Sequence, residues 1–251
     1  MKRIDSVKND HVKRWKKLHT RKGRETSGRF LVEGYHLVEE AIKAEMVVEY
    51  ILMTEAIVLP STLSVQNQDV ILVSEQVMKE LSETESPQGI AAVCIIPSPP
   101  TVKSLEGRYL LLDRIQDPGN LGTMIRTADA AGMTGVVLGE GSVDVLNSKV
   151  IRASQGSIFH LPVVKGPLEI WIEALKKASI PVFGTALEGA SSYSAIQPQA
   201  QFALIMGNEG EGVAKSLLEI TDQNIYIPIH GHAESLNVAV AAGILLYYLR
   251  G

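Results

Sequence analysis

Three segments of the chain concentrate side chains that could do chemistry. In the first, Pro118 and Gly119 form a turn, Asn120 is well placed to cap the next helix, and Arg126 follows about one and a half turns later. An amide can orient a hydroxyl, and a guanidinium can hold a phosphate or stabilise a developing negative charge. A surface arginine on a capped helix would give the same local pattern.

The second segment, residues 206–212, holds three glycines and the carboxylates of Glu209 and Glu211. Glycines allow the backbone to approach a ligand closely, and carboxylates can bind amines, hydroxyls or cations. A flexible turn without a ligand has the same composition.

The third segment, residues 227–242, is predicted to be a strand end, a loop and a very apolar helix that begins near Ser235. Ser235 could serve only as the helix N-cap. Asn237 is a polar residue at the start of an apolar helix, and it needs hydrogen-bond partners if it is buried.

The signatures of several enzyme classes are absent from the sequence. It contains no phosphate-binding P-loop, no Gly-x-Gly-x-x-Gly dinucleotide fingerprint and no Gly-x-Ser-x-Gly nucleophile elbow. His230 and His232 lack a third ligand at a useful spacing, so no metal site is expected. The single cysteine, Cys94, can form neither an intrachain disulfide nor a zinc cluster.

The elements around the three segments alternate between strand and helix. Predicted strands cover 109–113, 135–138, 160–164, 181–185, 202–206 and 224–228, and predicted helices cover 121–131, 146–153, 168–178, 213–220 and 235–249. This alternation predicts a mostly parallel sheet covered on both faces, which binds ligands at the carboxyl ends of its strands.

A proline-rich break at residues 97–100 divides the chain. We expect a small α/β domain over 1–96 that opens with a basic helix at 9–19, a linker over 97–107, and the parallel-sheet domain over 108–251. The first ten residues contain no apolar core, and the longest apolar run, residues 238–249, is too short for a bilayer. We therefore expect a soluble, cytoplasmic protein without a membrane partner.

The net charge of −4 conceals an asymmetry. Residues 1–29 hold 11 Lys and Arg against 3 Asp and Glu, a net of +8, and the remaining 222 residues carry a net of −12. A basic arm on an acidic body suggests an anionic partner, although a solvated helix that aids solubility has the same charge.

Together the three segments resemble the SpoU (TrmH-type) family of RNA ribose 2′-O-methyltransferases in the SPOUT superfamily. Residues 120–128 look like its Asn-x-Gly-x-x-x-Arg-Thr-Ala motif, and residues 207–212 look like its Gly-x-Glu-Gly-x-Gly motif. Residues 227–241 are similar to its Ile-Pro…Ser-Leu-Asn-Val-x-x-Ala motif, and residues 149–157 to a further family stretch. The basic first half resembles the substrate-binding domain often fused ahead of this catalytic domain.

The resemblance implies a knotted (trefoil) methyltransferase domain, S-adenosylmethionine as cofactor, and a homodimer with the active site at its interface. It implies cofactor contacts at Gly207, Ile227, Leu236, Thr185 and Ala186. It implies a catalytic group formed by Asn120, Arg126, Glu209, Ser235 and Asn237. Because the resemblance implies an RNA substrate, we expect the basic arm to contact RNA through Lys13, Arg14, Lys17, Arg21, Lys22 and Arg24.

An arginine is effectively always protonated in proteins, so we expect Arg126 to stabilise a developing alkoxide rather than to act as the base. The fusion to a substrate domain favours large-subunit rRNA as the substrate. Two alternatives stay open: methylation of tRNA, and an RNA-binding ribosome assembly factor without catalysis.

Overall fold

The computed structural model describes residues 2–59, 69–98 and 105–251, and it divides into two compact units. The first unit comprises Met1–Ser98 with Asp144–Phe159, and the second comprises Pro99–Val143 with His160–Gly251. Residues 99–104 of the predicted linker lie outside the described residues.

The described residues of the first unit form a five-stranded mixed sheet in the order β1-β4-β3-β5-β2. Its strands are β1 (Lys2–Ile4), β2 (Arg29–Glu33), β3 (Val48–Met53), β4 (Asp69–Val73) and β5 (Ile90–Ile95). Its helices are α1 (Asp10–Lys16), α2 (Arg21–Ser27), α3 (Tyr35–Lys43), α4 (Glu75–Leu81) and α6 (Ser148–Ser154).

Both faces of this sheet are covered, because successive side chains of a strand point to opposite sides. Leu52 of β3 joins one apolar cluster, which also contains Trp15 of the basic helix α1. Its neighbours Ile51 and Met53 join the other cluster, which also contains Ile151 of α6. Residues 144–159, which the sequence analysis grouped with the second domain, therefore contribute to the core of the first unit.

In the second unit the residues that the structure describes form a seven-stranded sheet in the order β10-β12-β9-β11-β6-β7-β8, with every pairing among them parallel. Its strands are β6 (Arg108–Leu112), β7 (Gly135–Leu138), β8 (Val163–Lys165), β9 (Val182–Thr185), β10 (Ser191–Ser192), β11 (Phe202–Met206) and β12 (Gln223–Tyr226). Its helices are α5 (Pro118–Ala130), α8 (Leu168–Lys177), α9 (Lys215–Leu218) and α10 (Val238–Arg250), and the short α7 (Ser157–His160) leads into it. The predicted parallel α/β sheet is confirmed, whereas the trefoil knot stays a prediction.

Two helix starts differ from those expected from the sequence. Helix α5 begins at Pro118 and is capped by Asp117, whose side chain accepts from the Asn120 N–H, so Asn120 is not the cap. Proline at the first helical position suits this start, because its missing N–H would be unpaired there anyway. Helix α10 is capped by Asn237 rather than Ser235. Among the described residues no helix is long and apolar enough to cross a bilayer.

Arg24 of α2 is buried within the first unit, at 4% exposure. Its guanidinium donates to the carbonyls of Leu18 (2.7 Å) and His19 (3.0 Å) and to the Asp144 carboxylate (2.5 Å). A buried cation with these partners holds the turn before α2 against residues 144–159. Arg24 therefore has a structural role, unlike the surface contact that the sequence predicts.

We expect Arg24→Met to destabilise the protein by about 3 kcal/mol, since removing one partner of a buried ion pair leaves the other charge uncompensated. Lys22→Met, on the exposed side of the same helix, is the control and should change stability by less than about 0.5 kcal/mol. Urea unfolding followed by circular dichroism measures both. Equal midpoints for the two variants would contradict this role.

Candidate active site

A cleft of about 730 Å³ lies in the second unit, at the carboxyl ends of β9, β11 and β12. Its lining comes largely from the ends of these strands and the segments after them, including residues 185–188 and 206–213, Ile227, Ile229, residues 234–236 and Val238. Parallel strands bring their carboxyl ends to one edge, so segments distant in sequence meet there. The volume is that of a site for a cofactor-sized molecule.

Gly207 begins the glycine-rich turn that forms one wall of this cleft. A Cβ at this position would lie 2.1 Å from the carbonyl carbon of Gly212 and from the backbone nitrogen of Val213. The turn is closed by reciprocal backbone hydrogen bonds between Asn208 and Gly212, at 3.1 and 2.9 Å. Only glycine fits here without moving backbone, so the wall of the cleft at this point is main chain.

All five residues that the sequence analysis names as cofactor contacts line the cleft: Gly207, Ile227, Leu236, Thr185 and Ala186. Thr185 ends β9, and its hydroxyl donates to the Ile205 carbonyl at 2.9 Å. The N–H of Ala186 donates to the carbonyl of Ile225 at 3.2 Å. The sheet edge therefore fixes this part of the lining.

The Glu209 carboxylate ties the glycine-rich turn to the start of α5. It accepts from the backbone N–H groups of Gln116 (3.1 Å) and Asp117 (3.0 Å) and from the side-chain amide of Asn120 (3.1 Å). Burial raises the pKa of Glu209, but these hydrogen bonds, with one to its own backbone, lower it more, so its pKa lies below the ordinary value of 4.5. The carboxylate is ionised at neutral pH.

Asn120 continues this network to the third segment. The Asn237 side-chain amide donates to Asn120 Oδ1 at 2.9 Å, while Asn237 Oδ1 accepts from Ala239 (2.9 Å) and Val240 (3.3 Å) at the start of α10. One hydrogen-bonded chain thus runs through Glu209, Asn120 and Asn237. The structure brings together three predicted site residues from three separate segments.

The other two predicted catalytic residues lie apart from this chain of hydrogen bonds. Ser235 is exposed and lines the cleft. Arg126 is exposed on α5, six residues or about 9 Å along the axis from Asn120. Within the described parts of the chain, Arg126 makes no hydrogen bond or ion pair with the network.

Sequence reasoning missed three residues that support the glycine-rich turn. Asp113 is buried, and its Oδ2 accepts from the Ala214 N–H at 2.8 Å. Arg114 has a left-handed φ of 53° and binds Asp113 (3.2 Å) and Glu211 (2.5 Å). The Asn208 amide donates to the Arg114 carbonyl at 2.9 Å. The signal that could have identified this support is the charged pair Asp113–Arg114, which directly follows the buried strand β6.

The basic residues of the arm surround a buried anchor. Trp15 is 3% exposed and belongs to the core of the first unit, so it anchors α1 there. Of the six cations that the sequence predicts as RNA contacts, five are exposed: Lys13, Arg14, Lys17, Arg21 and Lys22. Asp10 pairs with Lys13 at 3.2 Å and Glu25 with Arg21 at 2.6 Å, both at the surface.

One group of side chains in the described residues has the spacing of metal ligands. His36, Glu39 and Glu40 of α3 place ligand atoms within 4.8 Å of one another. Lys43 already pairs with both carboxylates, at 3.2 and 3.3 Å. This surface group lies in the first unit, and the cleft lies in the second.

Residues 107–247 match the SpoU rRNA Methylase family, and residues 9–92 match the MRM3-like substrate binding domain. The chain is 52% identical over 251 residues to the 23S rRNA (guanosine(2553)-2′-O)-methyltransferase RlmP of Bacillus subtilis, and the match covers 100% of both proteins.

The fold is similar to solved structures of the same kind. It superposes with a TM-score of 0.89 on an AdoMet-bound rRNA methyltransferase from Sinorhizobium meliloti, at 31% identity, covering 99% of this chain and 97% of that one. A structure concerning 2-OH methylation of C/U34 on tRNA covers only 57% of this chain, with a TM-score of 0.52 and 28% identity. The chain belongs to the SpoU rRNA methylase family and carries an MRM3-like substrate-binding domain ahead of the methylase domain.

Proposed function

We propose that this protein transfers a methyl group from S-adenosylmethionine to a ribose 2′-hydroxyl of 23S rRNA. The observation that carries the proposal is the Glu209–Asn120–Asn237 network, together with the cleft that residues of the same segments line. Because the relative from Bacillus subtilis is similar over its full length, we propose the equivalent guanosine as the target. With rRNA as its substrate, the protein would act in the cytoplasm, which agrees with the expectation from the sequence.

The cleft fits this cofactor. Its walls combine apolar side chains, such as Ile227, Leu236 and Val238, with the main chain at Gly207. Apolar surface suits a nucleoside, and backbone N–H and C=O groups can hydrogen-bond an adenine edge. Carboxylates on the lining, Glu209 among them, suit a cation. When bound, the cofactor supplies a methyl group already activated on a sulfonium.

The residues of the chain then have to align the ribose hydroxyl and help it to lose its proton. Alignment alone can remove about 7–11 kcal/mol of a barrier. Asn120 is held in place from both sides, by Glu209 and Asn237, which suits it to orient a hydroxyl. Glu209 has a lowered pKa and is already occupied by three donors, so it is a positioning residue rather than the base.

The Arg126 guanidinium stabilises the negative charge that develops on the ribose oxygen. In its own chain it lies outside the lining of the cleft, so we propose that it acts in a homodimer, at a cleft shared with a second copy. Helix α10 supports this proposal, since Val240, Ile244 and Tyr247 lie on one face and are 53%, 37% and 51% exposed.

The two alternatives are less well supported. The tRNA-related structure covers little more than the length of the methylase domain, whereas the similar rRNA methyltransferase covers both domains. An assembly factor without catalysis would not need the Glu209–Asn120–Asn237 network or the cofactor-sized cleft. Mapping of 2′-O-methyls on rRNA from cells with and without the protein tests the target directly.

We expect Arg126→Ala to abolish methyl transfer, measured with tritiated cofactor on 23S rRNA, and to leave cofactor binding by calorimetry unchanged. Mixing it with Leu236→Arg, which fills the cleft, should restore part of the activity if Arg126 acts across the dimer. Wild-type turnover by Arg126→Ala would contradict its role, and a mixture without activity would contradict action across the dimer.

Glu209 should stabilise the fold in a pH-dependent way. Its pKa is lowered in the folded state, so its contribution is present above the unfolded pKa and is lost as the pH falls through the folded pKa. We expect Glu209→Ala to cost about 1–2 kcal/mol at pH 7, from lost hydrogen bonds to a charged group. The difference from wild type in urea unfolding should shrink as the pH falls below 4.5. A difference that is independent of pH would show that the ionised form is not the anchor.

The exposed cations of the basic arm should set the salt dependence of RNA binding. Deleting residues 1–29 is a poor test, because β1 and Trp15 belong to the sheet and core of the first unit. We instead expect glutamine at Lys13, Arg14, Lys17 and Lys22 to flatten the slope of log affinity against log salt by about 3. Lys177→Gln, exposed on α8, is the control. An unchanged slope in the quadruple variant would place the RNA contact elsewhere.

A further inference from the structure

The proposed cofactor cleft is strongly acidic. Five carboxylates line it, those of Glu188, Glu209, Glu211, Glu219 and Glu234, and its charged lining in the described residues is completed by Lys215. Such a surplus of negative charge on a concave wall raises the local concentration of cations and lowers that of anions.

Three of these carboxylates have an identifiable local task or a nearby countercharge. Glu211 is paired with Arg114 at 2.5 Å, and Glu209 accepts three hydrogen bonds that hold the turn to α5. Glu219 lies four residues after Lys215, at the end of α9, so one positive charge stands on the same stretch of chain.

Glu188 and Glu234 have neither a local structural task nor a nearby countercharge among the described residues. Both are exposed and line the cleft, and neither forms an ion pair or a side-chain hydrogen bond within the described parts of the chain. Glu188 follows β9 and Glu234 precedes α10, so they enter the lining from two separate segments.

We propose that Glu188 and Glu234 make the cleft selective for the charge of the cofactor, so that it holds the sulfonium substrate more tightly than the neutral thioether product. This inference rests on the proposed function. In the reaction the methyl–sulfur bond breaks and its electron pair stays on sulfur, while the ribose oxygen forms the new bond to the methyl group and releases its proton to solvent water. The cofactor therefore enters with a net charge of +1 and leaves with a net charge of zero.

The two carboxylates distinguish the cofactor from its product only through this difference in charge. Their attraction for the sulfonium disappears at the moment of transfer, when the shape of the rest of the ligand is almost unchanged. Each turnover thus weakens the hold on its own product, which reduces inhibition by S-adenosylhomocysteine. The effect is electrostatic at a solvent-exposed rim, so salt must weaken it.

Calorimetry on the full-length protein tests this with three probes: S-adenosylmethionine, S-adenosylhomocysteine, and sinefungin, which carries an amine in place of the sulfonium. Glu188→Gln and Glu234→Gln should each weaken binding of the two cationic probes by about two- to fivefold, the size of a Coulomb attraction near water. Binding of S-adenosylhomocysteine should change less than twofold. Glu169→Gln, on the exposed start of α8 and outside the cleft, should change none of the three.

The outcomes separate the inference from the proposed function. If wild type binds the cationic and neutral probes and the two variants leave the ratio of their affinities unchanged, the charge-selection role is overturned and the cofactor assignment stands. If wild type binds none of the three probes, the proposed function itself fails. A ratio that falls in the variants, and falls in wild type as salt is raised, supports the inference.

Discussion

The Glu209 carboxylate is the interaction on which the site depends. It reaches from the glycine-rich turn after β11 to two backbone N–H groups ahead of α5 and to the Asn120 amide, at 3.0–3.1 Å. Two of these donors, the N–H groups of Gln116 and Asp117, belong to the loop between β6 and α5, outside the strand pairings of the sheet. The ionised Glu209 carboxylate accepts from both N–H groups, and the same hydrogen bonds fix the position of the start of α5 relative to the cleft. Asn237 then extends the network to the start of α10.

The parallel sheet supplies the conditions for this network. In such a sheet all carboxyl ends meet at one edge, and loops that are far apart in sequence become neighbours there. The strands β6, β7 and β11 are almost fully buried, so the sheet that carries this edge is part of the core. The turn at Gly207 packs main chain against main chain, where a single Cβ would collide at 2.1 Å. A site built largely from backbone suits a ligand that is recognised by shape and charge.

The first unit combines an apolar core with exposed cations on the same helical segment. Val12, Trp15 and Leu18 are buried, whereas Lys13, Arg14 and Lys17 between and beside them are exposed. This alternation is the helical spacing of an amphipathic segment. The overall charge of −4 is thus a poor guide to partners, because the two signs are segregated along the chain. Arg24 shows the limit of charge counting, since a cation in the same run became part of the core.

The sequence by itself determined the α/β class, the parallel sheet of the second unit and the segments that form its site, because hydrophobic periodicity and glycine-rich turns are local signals. It also carried the family, through three motifs in a fixed order. Only the tertiary structure decided which polar residues touch: Glu209, Asn120 and Asn237 are hydrogen-bonded, and Arg126 is not among them. It also decided that Asp117 and Asn237 cap the helices, that Arg24 is buried against Asp144, and that residues 144–159 complete the first unit. These outcomes depend on contacts between segments distant in the chain, which no local pattern encodes.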